Sequence, residues 1–137
     1  MKKMVLYLIA VFLILVLAAA YVFGADRTQE ENRKFLKEFG WQVEEQAVEI
    51  EEISLPAQFD EVYRQYNELQ YQAGLDLLPY CGKTCTRYTY LVKNYPRPVE
   101  DEVRANVICY RGKPIAGDIM TVRLDGFMHS LIFPKTE

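Results

Sequence analysis

The side chains that most often carry chemistry are scarce here, since the chain has one histidine, His129, and two serines, Ser54 and Ser130. A hydrolase of the Ser-His-Asp kind needs a nucleophile and an orienting acid within hydrogen-bond reach of the histidine. Ser130 is the neighbour of His129, but neighbours in a strand point to opposite faces. No catalytic residue is therefore predicted, and a cell-surface hydrolase with a site near His129 stays as the alternative.

Three cysteines, Cys81, Cys85 and Cys109, are the remaining reactive groups. The C-G-K-T-C spacing is not the two-residue knuckle typical of zinc sites, so no metal or other cofactor is predicted. Cys81 and Cys85 lie in a connector where a short local disulfide is sterically possible, and free thiols are the other interpretation. Cys109 alternates with Val107 and Ala105, so we expect it to be a small buried hydrophobe.

Tyrosines offer a candidate binding surface. The chain has ten of them, and three fall within one predicted strand with a fourth nearby. Such a set could form an aromatic platform for a glycan or a peptide. Tyrosine is also a favoured strand residue, so ordinary sheet packing is the alternative. The candidate binding residues are Tyr88, Tyr90, Tyr95 and Tyr110.

The apolar segment Met4–Phe23 determines where these residues are placed. Its twenty positions hold no charge, proline or glycine. At a rise of about 1.5 Å per residue, such a helix spans the roughly 30 Å hydrocarbon core of a bilayer. It also satisfies its own backbone hydrogen bonds, as lipid requires. The sequence predicts a transmembrane anchor in residues 1–25 and one domain in residues 26–137, with the lipid bilayer as the partner of the anchor.

The flanks of the segment predict its orientation. Lys2 and Lys3 precede it, which favours a cytoplasmic N-terminus and a domain outside the cytoplasm. The rival interpretation is a cleaved signal peptide, for which 18–20 supply small residues, and the protein would then be secreted. Tyr7 and Tyr21 near the two ends favour an uncleaved anchor, because interfacial aromatics lie at such positions.

The net charge outside the anchor bears on which kind of partner the domain could bind. Outside the anchor the chain has 14 Lys and Arg against 19 Asp and Glu, a net charge of −5. Nothing in this balance indicates nucleic acid. The glutamates between residues 44 and 52 indicate the solvated face of a strand, and an acidic docking edge is the alternative. They lack the spacing of a calcium loop.

Helical and strand patterns alternate in a way typical of an α+β domain. Thr28 and Glu31 form a capping-box pattern that predicts a first helix ending at Gly40. Extended chain with a bend is expected over 41–55. Pro56 indicates the start of the main helix, which ends at Gly74. Strands are predicted at 86–95, 103–110 and 115–124, and apolar residues 127–133 could add a short fourth.

The predicted arrangement is an antiparallel sheet of three to five strands packed by that one main helix. Helical spacing gives the helix an apolar stripe, which we expect to face the core. The stripe consists of Phe59, Val62, Tyr63, Tyr66, Leu69 and Ala73.

The order of several short patterns resembles a known but uncharacterised family. They are G-W-Q-V, E-I-S-L-P, the Tyr-rich helix, R-Y-T-Y-L-V-K-N-Y-P and L-D-G-F-M-H-S-L. The family comprises short membrane-anchored proteins of Gram-positive bacteria that share a domain of unknown function. The resemblance covers Asn32 to Leu131 and rests on core and turn residues. It implies architecture and location, but no activity and no site residues.

The sequence thus favours a membrane-anchored extracytoplasmic module without catalytic activity. Its expected ligands are a protein, a peptide or a cell-wall component, and its expected partner is a membrane or cell-wall protein.

Overall fold

The computed structural model describes residues 1–135 and confirms the α+β class. Five strands form one antiparallel sheet in the order β1-β2-β3-β4-β5. A short 3₁₀ turn, Leu78–Tyr80, lies between the second helix and β2. The elements are α1 (Lys2–Glu38), β1 (Glu49–Ser54), α2 (Glu61–Gln72), β2 (Thr84–Leu91), β3 (Val103–Tyr110), β4 (Lys113–Thr121) and β5 (Met128–His129).

Helix α1 is one uninterrupted helix of 37 residues. The side chains of its apolar segment are exposed, and by length and composition the helix could cross a membrane. Soluble monomers rarely expose an apolar surface this large. The last turns of the same helix pack on the sheet and bury Gln29, Asn32 and Leu36. The boundary expected at residue 25 therefore falls inside a continuous helix.

The separate helix start predicted at Thr28 is wrong. Thr28 lies within α1, and its hydroxyl donates a hydrogen bond to the carbonyl oxygen of Gly24 at 3.1 Å. A capping residue is needed where backbone N–H groups lack carbonyl partners, and here the preceding turn supplies them. The predicted end at Gly40 is confirmed, since Gly40 has a φ of 99° and the Trp41 N–H bonds the Leu36 carbonyl.

Both faces of the sheet are covered, although the sequence predicted only one packing helix. The end of α1 covers one face, where Leu36, Trp41 and Leu131 are buried. The Trp41 indole N–H donates to the Leu131 carbonyl at 2.7 Å. This bond joins the residues that follow α1 to the segment that follows β5. Helix α2 and the 3₁₀ turn cover the other face, over Leu77 and Ile108.

Helix α2 begins at Glu61, later than the predicted Pro56. The Asp60 carboxylate caps it by accepting the Tyr63 N–H at 2.9 Å. An aspartate at the N-cap accepts a hydrogen bond from a backbone N–H that would otherwise be unpaired. Proline is compatible with the first turn of a helix but supplies no such bond, so Pro56 does not fix the start. The predicted stop near Gly74 is confirmed, since the helix ends at Gln72 and Gly74 has a φ of 75°.

The apolar stripe predicted for α2 is only partly buried. Val62 is 71% exposed, whereas Asn67 and Gln70 are the buried residues of the helix. The Gln70 side-chain oxygen accepts the Gly117 N–H of β4 at 2.9 Å, and the Asn67 side-chain oxygen accepts the Leu77 N–H at 2.8 Å. These polar bonds set the rotation of α2, which a hydrophobic pattern does not reveal.

The strands lie close to their predicted positions. The range 103–110 is confirmed, whereas β2 and β4 begin and end earlier than predicted. The expected fourth strand is reduced to the two residues of β5. The bend expected over 41–55 is confirmed, because Val43 forms an isolated bridge to Val92 before the chain turns into β1.

Leu36→Ala should strongly destabilise the domain. Leu36 is fully buried between α1 and the sheet, so the change leaves a cavity that costs about 2–5 kcal/mol. The exposed Glu31→Ala on the same helix should cost about 0.5 kcal/mol or less. Denaturant unfolding of the full chain in detergent, followed by fluorescence of Trp41, the single tryptophan, measures both. Equal small losses would mean that α1 does not pack on the sheet.

Candidate functional site

A cleft of about 610 Å³ lies between α2 and the sheet. Its volume falls within the usual range for ligand pockets, about 300–1,000 Å³. The cleft exists because the rotation of α2 leaves part of the strand surface uncovered. Its apolar walls include Ile53, Val62, Leu69, Ile108, Met120 and Met128.

Three buried polar residues cross the sheet at the floor of the cleft. The strand register places Thr89, Asn106 and Asp118 side by side on β2, β3 and β4. The Thr89 hydroxyl donates to the Asn106 side-chain oxygen at 2.6 Å, and the Asn106 amide donates to Asp118 Oδ2 at 3.0 Å. Each of the three is less than 5% exposed. They form a continuous hydrogen-bonded row.

Tyr66 of α2 closes this row over Asp118. Its hydroxyl donates to Asp118 Oδ1 at 2.5 Å. Burial raises the pKa of Asp118, although the bonds from Tyr66 and Asn106 and the nearby charge of Arg87 act in the opposite direction. Burial and the Asp118 charge raise the pKa of Tyr66 well above its ordinary value, so the phenol keeps its proton and remains the donor.

Arg87 adds a cation at the border between cleft and β1. Its guanidinium forms an ion pair with Glu51 and lies 3.8 Å from Glu49. Its Nε is buried and has no hydrogen-bond partner among residues 1–135. An unpaired buried N–H is unusual in a folded protein. The cleft therefore combines a carboxylate that can accept hydrogen bonds with an N–H that can donate one.

The structure does not bring the four candidate tyrosines together. Tyr90 is fully buried under α1, where its hydroxyl accepts a hydrogen bond from Asn32 at 3.1 Å and burial raises its pKa to about 12. Tyr88 lies on the same face, half-buried. Tyr110 points to the opposite face, 5.4 Å from the ring of Tyr80. They share no single platform, and any binding role for them individually stays a prediction.

Tyr95, the fourth tyrosine, belongs to an aromatic cluster around His129. Its ring stacks on Trp41 at 5.8 Å, and its hydroxyl lies 2.9 Å from His129 Nε2. His129 Nδ1 lies 2.7 Å from the Ser130 carbonyl oxygen, which can only accept. Nδ1 therefore donates to this oxygen, and Nε2 forms a hydrogen bond with the Tyr95 hydroxyl. Because both ring nitrogens are engaged, neither is free to act as the base for a nucleophile.

The cysteines are all free in the part of the chain that the structure describes. The expectation for Cys109 is confirmed, since it is buried, donates from Sγ to the Asn32 side-chain oxygen at 3.0 Å, and has its pKa raised to about 12 by burial. Cys81 and Cys85 form no disulfide. Within residues 1–135, no group of three or more His, Cys, Asp or Glu side chains is arranged to hold a metal ion.

Sequence reasoning missed the floor of the cleft, although a signal was present. Asp118 stands in the run I-A-G-D-I-M, which is otherwise apolar and typical of a buried strand. It shares a strand face with Ala116 and Met120, at a spacing of two residues. An acidic side chain on the core face of a strand is rarely fully buried unless it is paired. The position of Asp118 was therefore the sequence signal for the cleft.

Comparison with known proteins assigns a family but no activity. A family model described as a domain of unknown function (DUF4830) matches residues 35–119, more than half of the 137-residue chain. The match includes α2, β1, β2, β3 and most of β4, but not the cleft-wall residues Met120 and Met128. No curated protein and no solved structure gives a match.

The raised pKa of Asp118 predicts how stability depends on pH. The folded-state pKa of Asp118 lies above the unfolded value of about 3.9, so its protonated form contributes stability that is fully present below about pH 4. This contribution is lost as the pH rises through the folded-state pKa. The free energy of unfolding should therefore fall relative to that of Asp118→Asn as pH rises above about 4. Urea unfolding across pH measures the difference, and a constant difference would contradict the prediction.

Tyr66→Phe provides a directional check on the same residue. It removes a hydrogen bond that favours the charged carboxylate, so the loss of stability should continue to a higher pH and be larger in total. Tyr63→Phe is the matched control, because Tyr63 also lines the cleft.

Proposed function

The chain belongs to the DUF4830 family of domains of unknown function, and we propose that it is a membrane-anchored module that binds a peptide segment of another protein. The α1 helix holds it in the bilayer. The domain lies outside the cytoplasm, and the cleft between α2 and the sheet receives an apolar side chain of the peptide.

The observation that carries this proposal is the composition of the cleft. Its walls are mostly apolar, and its polar groups include an acceptor, the Asp118 carboxylate, and a donor without a partner, Arg87 Nε. A peptide offers an apolar side chain together with backbone N–H and C=O groups. A peptide C=O directed at Arg87 Nε would pair that donor. Asp118 already accepts from Tyr66 and Asn106, and its remaining lone pairs could accept a peptide N–H as well.

The same composition favours a peptide over a cell-wall glycan. A sugar carries many hydroxyl groups, and burying them against apolar walls without partners is unfavourable. Two of the wall residues, Met120 and Met128, have flexible and polarisable side chains. Methionine adapts to irregular apolar partners and is common at surfaces that bind varied peptides.

The alternative function, a hydrolase with a site near His129, gains no support from the geometry. Both imidazole nitrogens form hydrogen bonds, and Ser130 is buried with its hydroxyl accepting the Ile132 N–H at 3.3 Å. A nucleophile needs a base within reach and access to a substrate. Tyr66 keeps its proton as the donor to Asp118, and neither residue is a nucleophile with an activating base.

Peptide selection on the full chain in lipid nanodiscs tests the cleft. A random peptide library should yield binders that share a large apolar residue. These binders should lose at least about tenfold in affinity, about 1.4 kcal/mol, for Val62→Arg, because this change places a charge at the wall of the cleft.

Val122→Arg is the matched control. Val122 is 55% exposed against 71% for Val62, and it does not line the cleft. The selected peptides should bind this variant as they bind the unmodified chain. Equal binding to all three proteins, or no enrichment of apolar residues, would show that the cleft does not receive peptides.

The proposed topology has its own test. Lys2 and Lys3 precede an uncharged segment, which favours retention of the N-terminus in the cytoplasm. Protease added to intact cells stripped of their wall should digest the domain and leave a membrane-bound fragment that retains Lys2. A fully protected domain would reverse the orientation, and a mature N-terminus near Tyr21 would support the signal-peptide interpretation.

A further inference from the structure

The geometry of α1 brings one end of the sheet close to the membrane. Gly112, in the turn between β3 and β4, lies beside α1, and a Cβ on it would stand 3.7 Å from Thr28 Oγ1. Thr28 follows Phe23, the end of the apolar segment, by five residues, a rise of about 7.5 Å along a continuous helix. The polar headgroup layer is about 5–8 Å thick on each side of the hydrocarbon core. The turn therefore lies at the level of the lipid headgroups.

The start of β2 lies at this same end of the sheet. Thr86 pairs with Cys109, so the residues before Thr86 continue past the end of β3 toward the turn. Lys83 directly precedes β2 and is exposed. The opposite end is marked by Lys93, whose N–H bonds the Gln42 carbonyl beyond the end of α1. Along the helix axis, Glu38 is about 15 Å farther from the membrane than Thr28.

The membrane-facing end has a surplus of positive charge. It carries four exposed basic side chains, and none of them forms an ion pair within residues 1–135. The exposed acids at this end are Asp26 and Glu31 of α1 and Glu52 of β1, which pairs with Thr86, while Glu30 is paired with Lys34 at 3.3 Å. The basic residues are Arg27, Lys83, Arg111 and Lys113.

Aromatic rings accompany these charges. The Tyr80 and Tyr110 rings lie 5.4 Å apart, and the Arg111 guanidinium lies 5.2 Å from the Tyr110 ring centroid. Tyrosine is enriched at membrane interfaces, where its ring contacts lipid and its hydroxyl contacts water. Arg111 holds a φ of 50° in the turn that follows β3, and its side chain is exposed.

We infer that this end of the domain, formed by Arg27, Lys83, Arg111 and Lys113, contacts anionic lipid headgroups of the membrane that α1 spans. The contact holds the sheet against the bilayer surface and leaves the cleft on the α2 side open to the aqueous phase. The inference rests on the proposed membrane anchor, but not on the peptide-binding role of the cleft. Basic residues next to a span bind anionic lipid with a strength that falls within a Debye length, so the contact requires the proximity that α1 imposes.

Lysine acetylation measured residue by residue tests the contact. The full chain is placed in nanodiscs of phosphatidylcholine with or without phosphatidylglycerol, and mass spectrometry gives the rate at each lysine. With phosphatidylglycerol, Lys83 and Lys113 should react more slowly by roughly fivefold, the factor that corresponds to one basic residue at an anionic surface. Lys93, at the far end of the domain, is the internal control and should keep its rate. High salt should abolish the difference.

Two arginine variants separate the contact from a general effect of charge. Arg111→Gln should reduce the slowing at Lys83 and Lys113, whereas Arg97→Gln, an equal loss of charge near Lys93, should leave it unchanged. Equal rates in the two lipids, or equal slowing at Lys93, would overturn the lipid contact. Release of the chain from nanodiscs by a salt wash would overturn the anchor, and this inference with it. Retention without slowing would overturn only the lipid contact.

Discussion

The rest of the structure depends on the continuity of α1. A helix that leaves the apolar segment without a break transmits the direction and rotation of that segment to the residues that follow. Asn32 shows how closely the sheet is tied to it, because its side chain donates to the Tyr90 hydroxyl and accepts from the Cys109 thiol. These bonds are buried, where an unpaired polar group is costly, so they specify one rotation of α1 on the sheet.

The two faces of the sheet are covered differently because α1 has a fixed position on one of them. The face under α1 is filled by Trp41, Leu131 and the aromatic residues around His129. The opposite face is covered only where α2 reaches it. Because Gln70 and Asn67 hold α2 at the edge of β4 and against the 3₁₀ turn, the middle of that face stays open as the cleft.

Apolar patterns predicted the fold class, the order of the strands and the range of β3, since burial on one face leaves a period that the sequence displays. They could not predict that α1 continues through Thr28, because a capping pattern is informative only where a helix actually begins. They could not show how the four candidate tyrosines are distributed over the sheet. Tyr90 and Tyr110 both belong to segments with a strand pattern, but they lie on opposite faces of the sheet. Only the strand register determines this.

Asp118 is the residue whose presence stability alone does not explain. An apolar side chain in its place would avoid the unfavourable transfer of a carboxylate from water, and such replacements of buried charges are often neutral or stabilising. The chain instead surrounds the carboxylate with Tyr66 and Asn106 and places Arg87 nearby with an unpaired Nε. Departures from the ordinary rules of a buried strand concentrate at functional sites. A buried carboxylate at the floor of one apolar cleft and an unpaired donor at its border are the features on which the proposed peptide-binding role depends.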